Sequence, residues 1–360
     1  MSTVTTSEYV SPGHPDVTSD AIVAYITDKY LEKDKMAKVA LECQFKDRYV
    51  TVSGELTSTA SYFDDEIKSF VRDAVSKIGY TRDYQMKFGV ECVANCEDLD
   101  IVLHISKQSP DIAQGVTGDN AGWGDQGIYW GMATPDSKTE HLPLDYYLAR
   151  KIAQNLFAEV REEDSSIQNC GLDIKTQVTL KDGVPDVVVV AIPSVSDETD
   201  KIRRIVHATI TSICGDVNLD KMNLIINGTG KYRIHSSVGD CGTTGRKLAV
   251  NFYGGNCRIG GGAVFGKDPS KSDVALNCYA RYLSLKYMKE HGCGTTYCSI
   301  AGCIGKPEIV VAIYDESNKQ LDSWVENKSP NEIIDLMMLR EPKWFSRCWN
   351  GLFGSVGDSI

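Results

Sequence analysis

The chain has 360 residues, is 42% hydrophobic and 24% charged, and sets 38 Lys and Arg against 49 Asp and Glu for a formal net charge of −11. That length predicts two or three domains, each able to bury its own core. The acidic balance argues against a general nucleic-acid or anionic-membrane binder, both of which need a large positive footprint, but leaves room for a local basic site that takes a small polyanion.

In chain order, the first sixteen residues have neither a basic region nor an apolar stretch, so no secretory signal is expected. A helix is predicted over 15–34, opened by Pro15. Val39, Leu41, Cys43 and Phe45 alternate with polar neighbours, and 46–48 turn this strand into a second over 49–57, an antiparallel hairpin. Ile67, Phe70, Val71, Ala74, Val75 and Ile78 form one stripe of an amphipathic helix stopped by Gly79. Strands are expected over 88–94 and 99–106, then a helix over 144–162. A hairpin over 174–180 and 184–192 turns at Asp182-Gly183, and a second amphipathic helix carries Ile202, Val206 and Ile210. The last third predicts strands over 223–227, 247–253 and 308–314, and helices over 273–290 and 331–339. Strands 185–192 and 307–313 resemble one another, a small sign of internal repetition. Hairpins mixed with helices favour an α+β fold over a doubly wound parallel sheet. The longest apolar run, 187–192, is far short of the roughly 20 residues of a membrane helix. Twelve scattered Cys read as reduced thiols of a cytoplasmic protein.

Glycine is the strongest local anomaly. Residues 228–266 hold 11 of the 31 Gly, interleaved with Lys231, Arg233, Arg246, Lys247 and Arg258 and followed by Lys267 and Lys271. Glycine admits backbone N–H groups close to a ligand and cations neutralise it, which suits phosphate; a pair of surface loops with solvated charges is the plainer alternative. From 231 to 271, seven Lys or Arg stand against two Asp, a local +5 that leaves −16 for the rest. Gly261 to Lys267 nearly matches a P-loop, but Asp268 occupies the hydroxyl position and Pro269 delays the helix. Gly122-Trp-Gly-Asp-Gln-Gly127 fits a dinucleotide fingerprint in spelling, yet no strand precedes it.

Gly13-His14-Pro15-Asp16 puts a histidine and a carboxylate at the positive end of a helix, where Asp16 suits magnesium and His14 a developing negative charge; simple capping explains them as well. Asp273, opening a helix beyond two lysines, carries the same two readings. Glu42 and Glu55 stand on facing strands of the first hairpin. Residues 107–116, with Gly118 and Gly122 beyond, read as a lid loop. Cys293, Cys298 and Cys303 lack zinc-site spacing.

These segments occur in one order: Ser7-Glu8-Tyr-Val-Ser-Pro-Gly13-His14-Pro15-Asp16, Lys107-Gln108-Ser-Pro-Asp-Ile-Ala-Gln-Gly115, Gly124-Asp125-Gln126-Gly127, Gly239-Asp240-Cys-Gly-Thr-Thr-Gly245-Arg246-Lys247, and Gly260-Gly-Gly-Ala-Val-Phe-Gly266-Lys267-Asp268-Pro-Ser-Lys271. Together they resemble the S-adenosylmethionine synthetases (methionine adenosyltransferases), from about residue 7 to Gly354. The resemblance implies attack of the methionine sulfur on C5′ of ATP, loss of triphosphate, and its hydrolysis to pyrophosphate and phosphate. It implies magnesium ligands at Asp16 and Asp273 and a potassium ligand at Glu42. It also implies an ATP and triphosphate cradle of His14, Asp173, Lys175, Tyr232, Asp240, Arg246, Lys247, Lys267 and Lys271. Of these His14, Lys175, Arg246, Lys267 and Lys271 would be the catalytic set, and Tyr232 the ring that stacks on adenine. Glu55, Gln108, Asp125 and Lys271 match methionine-binding positions. The implied fold is three similar α+β domains with mixed sheets and approximate threefold symmetry, over about 1–108, 117–232 and 233–360. The implied assembly is a homodimer, with a dimer of dimers as a further step, whose interface holds the active sites.

The chain departs from the family pattern at Trp123 (a methyl side chain in the pattern), Val264-Phe265 (Phe-Ser), His235-Ser236 (Gly-Gly) and Asn251 (Asp). Its lid is shorter, and it carries an insertion between Tyr80 and Lys107. Another ATP-dependent transferase, which would leave ADP, and a non-catalytic nucleotide-binding regulatory homologue stay open on sequence alone.

Overall fold

Hairpins organise the molecule, and each draws a distant strand to its side. The structure is a computed structural model that describes residues 2–108 and 122–354. Strands β2 (Lys38–Lys46) and β3 (Tyr49–Thr57) form the first hairpin, with parallel β4 (Asp100–Ser106) beyond β3. Antiparallel β9 (Gly242–Thr243) sits on the other side, from almost 200 residues downstream. The second sheet sets β6 (Lys175–Lys181) and β7 (Val184–Ala191) between β1 (Val4–Val10) and β8 (Asn223–Ile226). The third sets β10 (Thr296–Gly302) and β11 (Ile309–Asp315) between β5 (Gly127–Ala133) and β12 (Gln320–Glu326).

The three sheets share one plan. Each is a central hairpin flanked by its own late strand and by the leading strand of another unit: β1 goes to the second sheet, β5 to the third, β9 to the first. The resembling segments noted above are β7 and β11, which hold equivalent places as second strands of their hairpins. The first two sheets are mixed and the third is antiparallel throughout. This is the expected α+β class.

Helices lie on one face of the sheets. Helix α1 (Pro15–Lys33) is buried along most of its length, because the first sheet, α2 (Asp64–Ile78) and α10 (Trp344–Asn350) surround it. In α2 the stripe Ile67, Val71, Ala74, Val75 and Ile78 is buried, and Gly79 ends the helix at φ 116°. The remaining helices are α3 (Arg82–Phe88), α4 (Leu144–Arg161), α5 (Thr199–Cys214), α6 (Ser236–Gly239), α7 (Leu248–Asn251), α8 (Ser272–His291) and α9 (Pro330–Leu336). Among the described residues no helix is long and apolar enough to cross a membrane.

Two predicted strands are corrected. Residues 88–94 hold the end of α3 and a 3-10 turn over Gly89–Glu91, since Gly89 takes φ 60° and breaks the alternation of Val90, Cys92 and Ala94. Residues 247–253 contain α7, whose turn closes through Asn251 N–H to Lys247 O and whose Val250 carbonyl accepts Tyr146 Oη at 2.7 Å. The lid residues 109–121 lie outside the described residues. All twelve cysteines lie among the described residues, and none is in a disulfide.

Candidate active site

The N-terminus of α1 builds the first group of site residues. Gly13 passes so close to the 172 carbonyl that a Cβ there would sit 2.2 Å from it, and Tyr80 Oη donates to the Gly13 carbonyl. His14 follows as the helix N-cap: its Nδ1 accepts Asp16 N–H at 3.2 Å, and the side chain is buried. Burial holds the imidazole down to about 4, with Lys175 and Lys247 adding to the effect against Asp173. A neutral ring that accepts at Nδ1 carries its proton at Nε2. His14 therefore caps the helix, as the plainer reading had it, and also presents a donor.

Asp16 has no exposed surface. It accepts Thr243 N–H at 2.9 Å and Lys247 Nζ at 2.5 Å, with Arg246 at 3.9 Å. Burial alone would raise its pKa, but the Lys247 and Thr243 bonds outweigh it and hold the carboxylate below its ordinary range. One ligand atom from each of His14, Asp16 and Asp240 lies within 4.8 Å of the others. Asp173, just before β6, accepts Tyr232 Oη and Ser236 N–H, each at 2.8 Å, while its Oδ1 is buried without a partner. Lys175 opens β6 opposite Val10 and is exposed.

The second group surrounds a cleft of about 220 Å³ lined by Lys38, Gln108, Asp125, Lys267, Lys271 and Asp273. Its glycine-rich wall runs along the part of the β2 edge that β9 leaves uncovered: Leu41 N–H meets Gly266 O at 2.8 Å, and Asp268 N–H meets Val39 O at 2.9 Å. Gly266 allows this approach at φ 84°, where a Cβ would stand 2.2 Å from the Leu41 carbonyl. Asp268, the residue that spoiled the P-loop spelling, is buried and accepts Val39 N–H and Ser270 N–H; it fastens the loop. Lys267 is thereby aimed at Asp273, 2.5 Å away, whose other oxygen takes Gly262 N–H at 2.8 Å. Lys271 is the N-cap residue of α8, so Asp273 lies in its first turn. Glu55 pairs with Ala40 in register and Glu42 with Ser53, so both acids share the open face of the first sheet.

The residues singled out from sequence thus fall into two groups. His14, Asp16, Asp173, Lys175, Tyr232, Asp240, Arg246 and Lys247 form one; Glu42, Glu55, Gln108, Asp125, Lys267, Lys271 and Asp273 form the other. Among the described residues no hydrogen bond or ion pair joins a member of one to a member of the other. Two residues of these sites were missed. Asp20 accepts Gly245 N–H of the glycine-rich loop at 2.9 Å, and burial pushes it up to about 7; its signal was the four-residue spacing from Asp16 on one helix. Lys38 lines the cleft, and its place on the polar side of the β2 alternation was the only clue. Trp123 is fully buried, its Nε1–H donating to Pro307 O at 3.2 Å, so the core absorbs this ring.

Three family models match in succession: the N-terminal domain of S-adenosylmethionine synthetase over 2–110, the central domain over 120–232 and the C-terminal domain over 234–359. An S-adenosylmethionine synthase of Mesoplasma florum is 33% identical over 370 residues, covering 97% of this chain and 94% of the relative. S-adenosylmethionine synthase 2 of Rhodospirillum rubrum is 36% identical over 290 residues, covering 78% of this chain and 71% of the relative. The solved structure of an unusual S-adenosylmethionine synthetase from Campylobacter jejuni superposes with a TM-score of 0.85 at 27% identity, covering 99% of this chain and 96% of that one.

Proposed function

The chain belongs to the S-adenosylmethionine synthetase family, and from that premise we propose that it joins ATP to L-methionine. The methionine sulfur attacks C5′ of ATP, the triphosphate leaves as a unit, and water cleaves it to pyrophosphate and phosphate. The observation that carries this reading is the pairing of a carboxylate with a lysine in each group, Lys247 on Asp16 and Lys267 on Asp273. A triphosphate accumulates negative charge as it departs, and fixed cations aimed at that charge stabilise the transition state more than the ground state. His14 Nε2–H, Lys175, Arg246, Lys247, Lys267 and Lys271 are the donors assigned to it. Tyr232 is assigned to the adenine, with Asp173 and Asp240 beside it. Gln108, Asp125, Glu55 and Lys271 are assigned to methionine.

Asp16 and Asp273 are the carboxylates assigned to magnesium. The fit rests on the donor set: Asp16 has the Asp240 carboxylate within reach, and Asp273 offers hard oxygens beside Lys267. Bound there, magnesium would supply countercharge to the leaving triphosphate. Glu42, with Ser53 opposite and Glu55 diagonal to it, presents only oxygen donors and is assigned to potassium.

A homodimer accounts for the division of the site: the first group of one subunit would complete the second group of the other. Two open sheet faces support it. One is the Glu42–Glu55 face of the first sheet; the other is on the third sheet, where Ile128, Ala301, Val310 and Val325 form one exposed row across all four strands. The three units would be the domains 1–108, 117–232 and 233–360.

The test supplies ATP, methionine, magnesium and potassium to the protein and measures S-adenosylmethionine, phosphate and pyrophosphate. Formation of all three without ADP is expected, and chelation of magnesium should stop it. ADP formation, or no S-adenosylmethionine at any salt or pH, refutes the assignment.

A further inference from the structure

The segment between Tyr80 and Lys107 carries an arrangement that none of the roles above uses. Tyr84 on α3 sits against His235, three positions after Tyr232, and both side chains are buried. Tyr84 Oη accepts Leu172 N–H at 2.9 Å and meets His235 Nε2 at 2.7 Å; His235 Nδ1 meets Arg233 O at 2.6 Å. Only one proton order satisfies this chain. A carbonyl accepts, so Nδ1–H donates to Arg233, Nε2 is the acceptor of a neutral ring, and Tyr84 O–H donates to it. The relay ties Leu172 on one segment to Arg233 on another.

Those two residues are the chain neighbours of Asp173 and Tyr232, whose side chains bond at 2.8 Å. The relay therefore brackets that bond from the backbone side. Three further contacts fix the same segment. His235 N–H donates to Glu91 O at 3.1 Å, and Arg233 Nε and Nη2 reach the Glu91 carboxylate at 2.7 Å. Phe88 packs edge-on to the imidazole, with ring centroids 4.7 Å apart. Ser236 is held at φ 53°, a conformation that favours glycine, and in it gives its N–H to Asp173. Both Asp173 contacts thus depend on how residues 232–236 are held, and its remaining oxygen is left buried and unpaired.

We infer that Tyr84 and His235 are positioning residues for nucleotide binding: they act through Asp173 and Tyr232, and fix the wall that receives ATP. The inference rests on the synthetase reading for the identity of the nucleotide. His235 and Ser236 stand where the family pattern has Gly-Gly, so this chain holds the loop by side-chain bonds from α3.

The test uses the full-length protein, magnesium and a non-hydrolysable ATP analogue, with binding followed by calorimetry. Tyr84→Phe deletes one oxygen; His235→Ala deletes the ring. Loss of a buried hydrogen bond predicts that each variant binds the analogue roughly fivefold more weakly. The double variant should be no weaker than the weaker single, because both act through one bond. In turnover, KM for ATP should rise while KM for methionine stays near the parent value, and Tyr84→Phe should lower the melting midpoint by only a few degrees, the cost of one buried hydrogen bond. Should His235→Ala fail to fold, Tyr84→Phe carries the test. Analogue binding within twofold of the parent in the single variants, or losses that multiply in the double variant, would overturn the inference. A parent that binds the analogue but makes no S-adenosylmethionine refutes the synthetase reading alone.

Discussion

Division of the site residues into two groups leads to a quantitative expectation. Lys247→Ala removes a cation of the first group, where it stands 2.5 Å from Asp16. Lys267→Ala removes its counterpart of the second group, 2.5 Å from Asp273. Each truncation takes a charged donor from a departing triphosphate, a loss of the order of 100-fold or more. If each site draws one group from each subunit, a heterodimer of the two variants has one site with both lesions and one with neither. Two differently tagged chains, co-expressed and purified through both tags, should then give about half the parental rate of S-adenosylmethionine formation, although each homodimer is nearly inactive. The result that refutes the reasoning is a heterodimer as inactive as its parents, since a site built within one chain would be damaged in every subunit.

Three further expectations follow from particular contacts. Asp273→Ala should abolish synthesis while shifting the melting midpoint only a few degrees, because the carboxylate is partly exposed and holds one lysine and one N–H; normal turnover would remove it from the site. Gly13→Ala should destabilise the protein by roughly 2 kcal/mol or more in urea unfolding, since the new methyl meets the 172 carbonyl, and unchanged stability would contradict that packing. Asp20 has its pKa raised from 3.8 to about 7 by burial, so the folded state binds the proton first. That contribution is absent above about pH 7 and grows as pH falls toward 3.8, to about 4 kcal/mol. Asp20→Asn, which keeps an acceptor for Gly245 N–H, should lose this gain on acidification, and parallel unfolding curves for parent and variant would refute the raised pKa.

What sequence could reveal depended on how far apart the partners lie. The hairpins β2–β3 and β6–β7 were legible because alternation and turn chemistry are local: Asp47 and Asp182 take φ 51° at their turns. Strands β1, β5 and β9 escaped, because each is specified by a hairpin of another unit, as with Val10 opposite Lys175; β10 and β12 escaped as well, although their partner β11 is close in sequence. The apolar positions of 247–253 satisfied a strand pattern, yet the segment closes as a helical turn under Tyr146. The charged residues proposed for the site were singled out because a triphosphate would demand their type and because the family pattern places them. Their division into two groups was not legible, nor was the relay through Tyr84 and His235, whose members are 151 residues apart.

The exchange of leading strands has a bearing on synthesis at the ribosome. Strand β1 is among the first segments made, but its partner β6 begins only at Lys175, and β5 must wait for β10, which ends at Gly302. The first sheet likewise lacks its outer strand until Thr243 emerges. No sheet can close from its own stretch of nascent chain: β1 leaves the tunnel unpaired until the middle third is made, and β2 and β5 keep an open edge until the last third. Pairing over such separations is slow, and exposed edges invite association. The fold is completed by its C-terminal third, after most of the chain has already been translated.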